Sequence, residues 1–198
     1  MPERGQRCTR CWSQLAASPV TSQRVELAAE PDMPEWVAAS LVDDPEPMVR
    51  IVIAGRLDVA LDLLRRLGAD SDPGVRATVA ANGSTPPDLD ARLATDPDDD
   101  VVIRLAARAG VNPAVLTGLH HHPDPRVRGA VAGNTSADAS VDRGLACHEA
   151  EPTVLAALAA KTTTPSLVLS WLAQHPTPIV AAPAARQLLH RGANAPND

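Results

Sequence analysis

The chain has 198 residues, 44% of them hydrophobic and 21% charged, which fits one ordinary soluble domain and excludes a disordered tail as the bulk of the protein. It holds no Phe, no Tyr, three Trp and nineteen Pro, so the core is aliphatic and Ala-rich, and long uninterrupted helices are excluded. The net charge of −6, with one Lys among eighteen basic residues, disfavours nucleic acid as the default partner.

The first segment, Met1 to Gln14, is polar and carries Arg4, Arg7 and Arg10, with no apolar stretch of signal-peptide length, so a cytoplasmic location is expected. It contains Cys8-Thr9-Arg10-Cys11-Trp12, a CxxC spacing that lets two thiolates face one ion. With Cys147 as the only other thiol, a secreted disulfide framework is a poor reading and a metal half-site or reduced thiol pair a better one. The longest apolar runs, such as 154–160, fall far short of the roughly 20 residues that cross a bilayer. No membrane association is expected. The expected organisation is a CxxC segment over 1–14, helical repeats over 15–191 and a flexible tail over 192–198.

From Leu15 onward one column steps through the chain: Leu15, Leu41, Leu67, Leu93, Leu119, Leu145 and Leu172, at intervals of 26 residues with a final step of 27. A second column runs Ala28, Ala54, Ala80, Ala106, Ala132, Ala159 and Ala185, each preceded by an aliphatic residue or Ala. A third, Val49, Val75, Val101, Val127, Val154 and Val180, lies four residues before those predecessors, the spacing that puts two side chains on one helix face. Each unit divides into two short helices. Asp72-Pro73 and Thr85-Pro86 read as N-caps, and Asn82-Gly83 reads as a left-handed helix end. Two helices within 26 residues leave at least one of them about two turns long or a 3₁₀ segment. In the last unit Pro183 interrupts the pattern, and a closing helix is expected from about that residue.

The stretch from Asp72 to Asp96, with Asp-Pro, Val-Arg, Val-Ala and Thr-Pro in order, resembles one unit of the leucine-rich repeat variant family, and looser copies extend over Gln23 to Leu172. The resemblance implies an all-α, right-handed solenoid of short helix pairs alternating α and 3₁₀ helices, in about six to seven units. A HEAT-like solenoid is the nearest competing architecture. Such proteins can carry an amino-terminal iron–sulfur module held by four Cys, and the resemblance maps Cys8 and Cys11 onto half of that set. Three readings stand: a remnant pair without metal, two chains sharing zinc or a cluster as a dimer, or a start that omits upstream Cys.

Just before successive units the chain reads Asp44, Asp70, Asp96, His122, His148 and His175, expected to be turn and cap positions. Units stacked about 10 Å apart cannot bring one such residue each to a common metal ion. His120-His121-His122 with Cys147-His148 is the densest ligand-type cluster, but no carboxylate or second Cys completes a zinc set. Arg24, Arg50, Arg76 and Arg128 share one column, the candidate partner-binding residues if they form an open phosphate track; Asp44 and Asp70, six residues before Arg50 and Arg76, favour structural ion pairs instead. No Walker loop, GxGxxG, GxSxG or HExxH occurs, so no enzyme motif is present. The leading expectation is a non-enzymatic scaffold for a protein or peptide, with no required cofactor; the alternative is a nucleic-acid-binding solenoid using the Arg column.

Overall fold

The computed structural model describes residues 9–193, which are helical without any strand. The chain divides into two compact units, residues 1–89 and 90–198. In the first, α1 (Thr9–Ala16), α3 (Glu35–Leu41) and α5 (Leu61–Leu67) alternate along the chain with α2 (Thr21–Ala28), α4 (Pro47–Ala54) and α6 (Pro73–Ala81). There α2 packs on α4, α4 on α6, and α1 on α3. The second holds α7 (Asp90–Leu93), α8 (Asp99–Ala107), α9 (Pro113–Leu119), α10 (Pro125–Gly133), α11 (Ala139–His148), α12 (Pro152–Ala160), α13 (Ser166–Leu172) and α14 (Pro178–Ala193). Within it α8, α10, α12 and α14 stack in sequence, and α11 packs on α13. Each unit is therefore a stack of helix pairs.

Local chemistry starts these helices where the Asp-Pro spacing predicts. The Asp72 carboxylate accepts the Val75 N–H and the Asp124 carboxylate the Arg126 N–H, while Pro73 and Pro125 occupy first-turn positions that need no donor. Asn112 caps α9 ahead of Pro113, and Asp138 accepts two N–H groups at the start of α11.

The three columns form the core. Val75, Val79 and Ala80 in α6, and Val127, Val131 and Ala132 in α10, are each 0% exposed. The spacing i, i+4, i+5 places them on one stripe. Ala28 through Ala159 are all fully buried, whereas Ala185 is only half-buried because no further described helix stacks on α14. A small side chain at this position lets consecutive helices approach closely.

Local details differ from the sequence reading. Most short helices are two-turn α-helices; a 3₁₀ turn is found at Pro87–Leu89, where the consecutive Pro86 and Pro87 remove two donors and tighten the start. Asn82 ends α6 in an extended conformation (φ −73°, ψ 123°), and the only positive φ among the described residues is at Gly110. The Asn82 side chain instead donates to the Ala54 and Arg56 carbonyls, both at 2.7 Å. Thr85 is buried, and its hydroxyl donates back to the Val79 carbonyl at 2.6 Å rather than capping a helix. The last helix begins at Pro178 and runs through Pro183, losing one ladder bond there.

The Asn82 bridge is one rung of a polar ladder. Arg56 donates to the Ala28 and Glu30 carbonyls, Asn134 to those of Ala106 and Arg108, and Gln187 to those of Ala159 and Lys161. At the intervening positions Arg108 and Lys161 turn to Asp90 and Asp142, forming two buried ion pairs within the second unit.

Candidate interaction surfaces

Arg24, Arg50 and Arg128 each reach a carboxylate 20 or 21 residues further on. Arg24 donates to Asp44 at 2.6 and 3.0 Å, Arg50 to Asp70 at 2.7 and 2.8 Å, and Arg128 to Glu149 at 2.6 and 3.1 Å. The remaining nitrogen of each closes on a carbonyl six residues before it: Ser18, Asp44 and His122 respectively. Arg76 makes the same contact to the Asp70 carbonyl at 2.8 Å. The residue six before each Arg, whether Ser, Asp or His, thus offers its backbone carbonyl, and for Arg24, Arg50 and Arg128 the acid that takes the charge comes later in the chain.

Burial pushes the Asp44, Asp70 and Glu149 carboxyls upward, but the guanidinium hydrogen bonds, the cap N–H bonds and the nearby positive charge outweigh it and hold all three below the usual carboxylate range.

These acids, with Asp96 at the equivalent position, also hold the turn that leads into the next helix by accepting the N–H of its N-cap residue. Asp44 accepts the Glu46 N–H at 2.9 Å, Asp70 that of Asp72 at 2.9 Å, and Asp96 that of Asp98 at 3.0 Å. His122 Nδ1 accepts from Asp124 at 3.2 Å, and His175 Nδ1 from Thr177 at 3.1 Å. Ahead of α12 the acceptor is Glu149, which takes the Glu151 N–H at 2.8 Å. His148, which the sequence reading put in this column, precedes it because the 27-residue step adds one residue here.

His120, His121, His122 and His148 line a cavity of ≈ 330 Å³ together with Arg128 and Glu149. His120 Nδ1 lies 2.5 Å from the Thr117 carbonyl, and its ring packs 3.7 Å from that of His121. Among the described residues no group of three His, Cys, Asp or Glu is placed to hold a metal ion. Cys8 lies outside the described residues, and Cys11 is exposed on α1. A four-thiolate cluster does not fit this chain alone, which has three cysteines in all.

Large apolar side chains remain on the surface at a few places. On α13, Leu167 is 77% and Trp171 49% exposed, one helical turn apart. The register positions of this pair hold Ala114 and Gly118 in α9, Ser140 and Gly144 in α11, and Asp62 and Arg66 in α5. That contrast is readable in the sequence once the Leu column is aligned, though the columns alone do not flag it. Leu167 and Trp171 line a groove of ≈ 550 Å³ with Arg143, Cys147, Ser170 and Gln174. His175 packs edge-on against Trp171.

Structural comparison finds a solved leucine-rich repeat variant, described as having a novel repetitive protein structural motif, at a TM-score of 0.69 and 25% identity. The match covers 91% of this chain and 72% of that chain. The chain has the leucine-rich repeat variant fold. No family model and no curated protein matches it. What this leucine-rich-repeat-variant fold supplies is a repeat scaffold of helix pairs; no helix among the described residues is long and apolar enough to cross a membrane.

Proposed function

We propose that the protein is a non-enzymatic scaffold for protein–protein interaction, built on leucine-rich-repeat-variant-type helix pairs. The observation that carries this reading is the division of labour between polar and apolar side chains. Arg24, Arg50 and Arg128 spend their guanidinium groups on carboxylates and carbonyls of their own unit, so they offer little to a phosphate backbone. Meanwhile Trp36, Leu61, Leu167 and Trp171 are between 44% and 77% exposed. Water-facing aromatic and aliphatic groups on a helical repeat suit protein contacts, where Trp anchors carry much of the binding energy.

The test is photo-crosslinking in the native cell, with a photoactivatable phenylalanine analogue in place of Trp36 or Trp171 and, as a control, of exposed Asp100. The expected adduct forms at 36 or 171, is destroyed by protease and resists nuclease. A nuclease-sensitive adduct would overturn the reading in favour of nucleic acid.

A further inference from the structure

We infer that the groove between α11 and α13 binds one amphipathic helix of a partner protein, whose apolar stripe covers Leu167 and Trp171 and whose adjacent acidic residue pairs with Arg143. This rests on the reading of the chain as a protein-binding scaffold and commits it to a place and a partner chemistry.

Three observations converge. The groove is large enough, at ≈ 550 Å³, to take several side chains, within the usual range of about 300–1,000 Å³ for a ligand cleft. Within the second unit its apolar wall is local to α13, since the equivalent positions in α9 and α11 carry Ala, Ser or Gly; in the first unit α3 has Trp36 at the Leu167 position but Ser40 at the Trp171 position. Leu167 and Trp171 are therefore departures from the repeat that neither column packing nor capping requires.

Charge selects the partner. In a chain of net charge −6, no carboxylate lines this groove, while the exposed Arg143 does. Arg143 makes no ion pair or side-chain hydrogen bond among the described residues. The two acids that feel its charge are occupied elsewhere: Asp142 is buried against Lys161, and Asp138 caps α11. A cation beside an apolar wall is complementary to a helix with anchors at i, i+3 and i+4 and a Glu or Asp flanking them. Ser170 on α13 and Gln174 in the turn just after it supply a polar rim.

The test is selection from a displayed library of helical peptides that keeps Leu at i, i+3, i+4 and i+7 and randomises the flanking positions, with the full chain as bait. The expected binders are enriched in Glu and Asp on one flank. They should lose at least tenfold in affinity to Trp171→Ala and to Leu167→Ser, and Arg143→Glu should reverse the preference towards Lys-flanked peptides. Circular dichroism of each variant confirms that the helices persist. No enrichment, or binders indifferent to all three substitutions, overturns the proposal. Binders that depend on Trp36 and not on Trp171 overturn the groove but leave the scaffold standing. If Leu167→Ser abolishes a concentration-dependent dimer of the parent, the occupant is a second copy, and the proposal is again overturned.

Discussion

Arg128 and Glu149 are joined by two hydrogen bonds across 21 residues, whereas Arg24–Asp44 and Arg50–Asp70 span 20. A longer acid takes up the inserted residue and keeps both functions, pairing with Arg and accepting the N–H of the next helix's N-cap residue, Glu151. Where the Arg column holds Val102 or Leu155 instead, the turn acceptor 20 residues later is His122 or His175. An acid there would have no guanidinium to neutralise it, and a neutral imidazole nitrogen accepts the same N–H without that demand. Acid or His at this turn position thus follows what stands in the Arg column before it.

This coupling is testable by a double-mutant cycle on Val102→Arg and His122→Asp. His122→Asp alone should destabilise, because the new carboxylate sits near Asp99, which lies 3.8 Å from the His122 ring nitrogen. With Val102→Arg added, the double variant should be about 1 kcal/mol or more stabler than the sum of the singles, measured by chemical denaturation. Additive effects would show that the two positions do not communicate.

Stability should also fall with acid in a defined window. Asp44, Asp70 and Glu149 have folded-state values below their unfolded ones, so their contribution is fully present above about pH 5 and is lost as pH falls through about 4 and below. In Arg50→Ala the Asp70 share of that dependence should shrink, so the acid limb of a stability-against-pH curve should be shallower than in the parent. An unchanged limb would mean that these carboxylates titrate as in the unfolded chain.

The neutral ladder carries comparable weight. Asn134 is buried and is the donor to two carbonyls of the preceding helix pair, at 2.6 and 2.8 Å. Asn134→Ala leaves both acceptors without it and should cost about 2–3 kcal/mol. Replacement by Asp, which cannot donate, should be at least as damaging. A melting temperature equal to the parent's for either variant would remove the ladder from the account.

At the Ala column, Ala106→Leu adds three carbons where the side chain is 0% exposed, which should overpack α8 against α10 at a cost of about 1–3 kcal/mol. Thermal unfolding gives the answer directly. Parental stability would mean the helices are not in close contact at this point.

The repeat was legible because its core is one-dimensional: the Leu, Ala and Val columns need only hydrophobic spacing to be seen, and all their members but the terminal Leu15 and Ala185 are buried. The Asp-Pro helix starts at Asp72 and Asp124 were equally readable from local chemistry. What spacing could not reveal was polar pairing between successive helix pairs of one unit, which depends on how far each helix rises over the last. Hence Asp70 rather than Asp44 takes the Arg50 charge, Glu149 replaces His148 in the turn before α12, and Asn82 bonds to the preceding pair rather than entering a left-handed turn. The Leu167 and Trp171 surface was hidden for a different reason. Period searches reward what recurs, and this pair is where the repeat departs from itself.

The most direct measurement of the central claim, that the Arg column holds the repeats together instead of meeting a partner, joins two readouts on Arg50→Ala and Arg128→Ala. Each variant should lose about 2–3 kcal/mol in chemical denaturation, since a largely buried carboxylate is left behind. The parent should bind neither single- nor double-stranded DNA nor RNA at low salt. Contradiction would be parental stability in both variants, together with salt-dependent nucleic-acid binding by the parent that each variant loses.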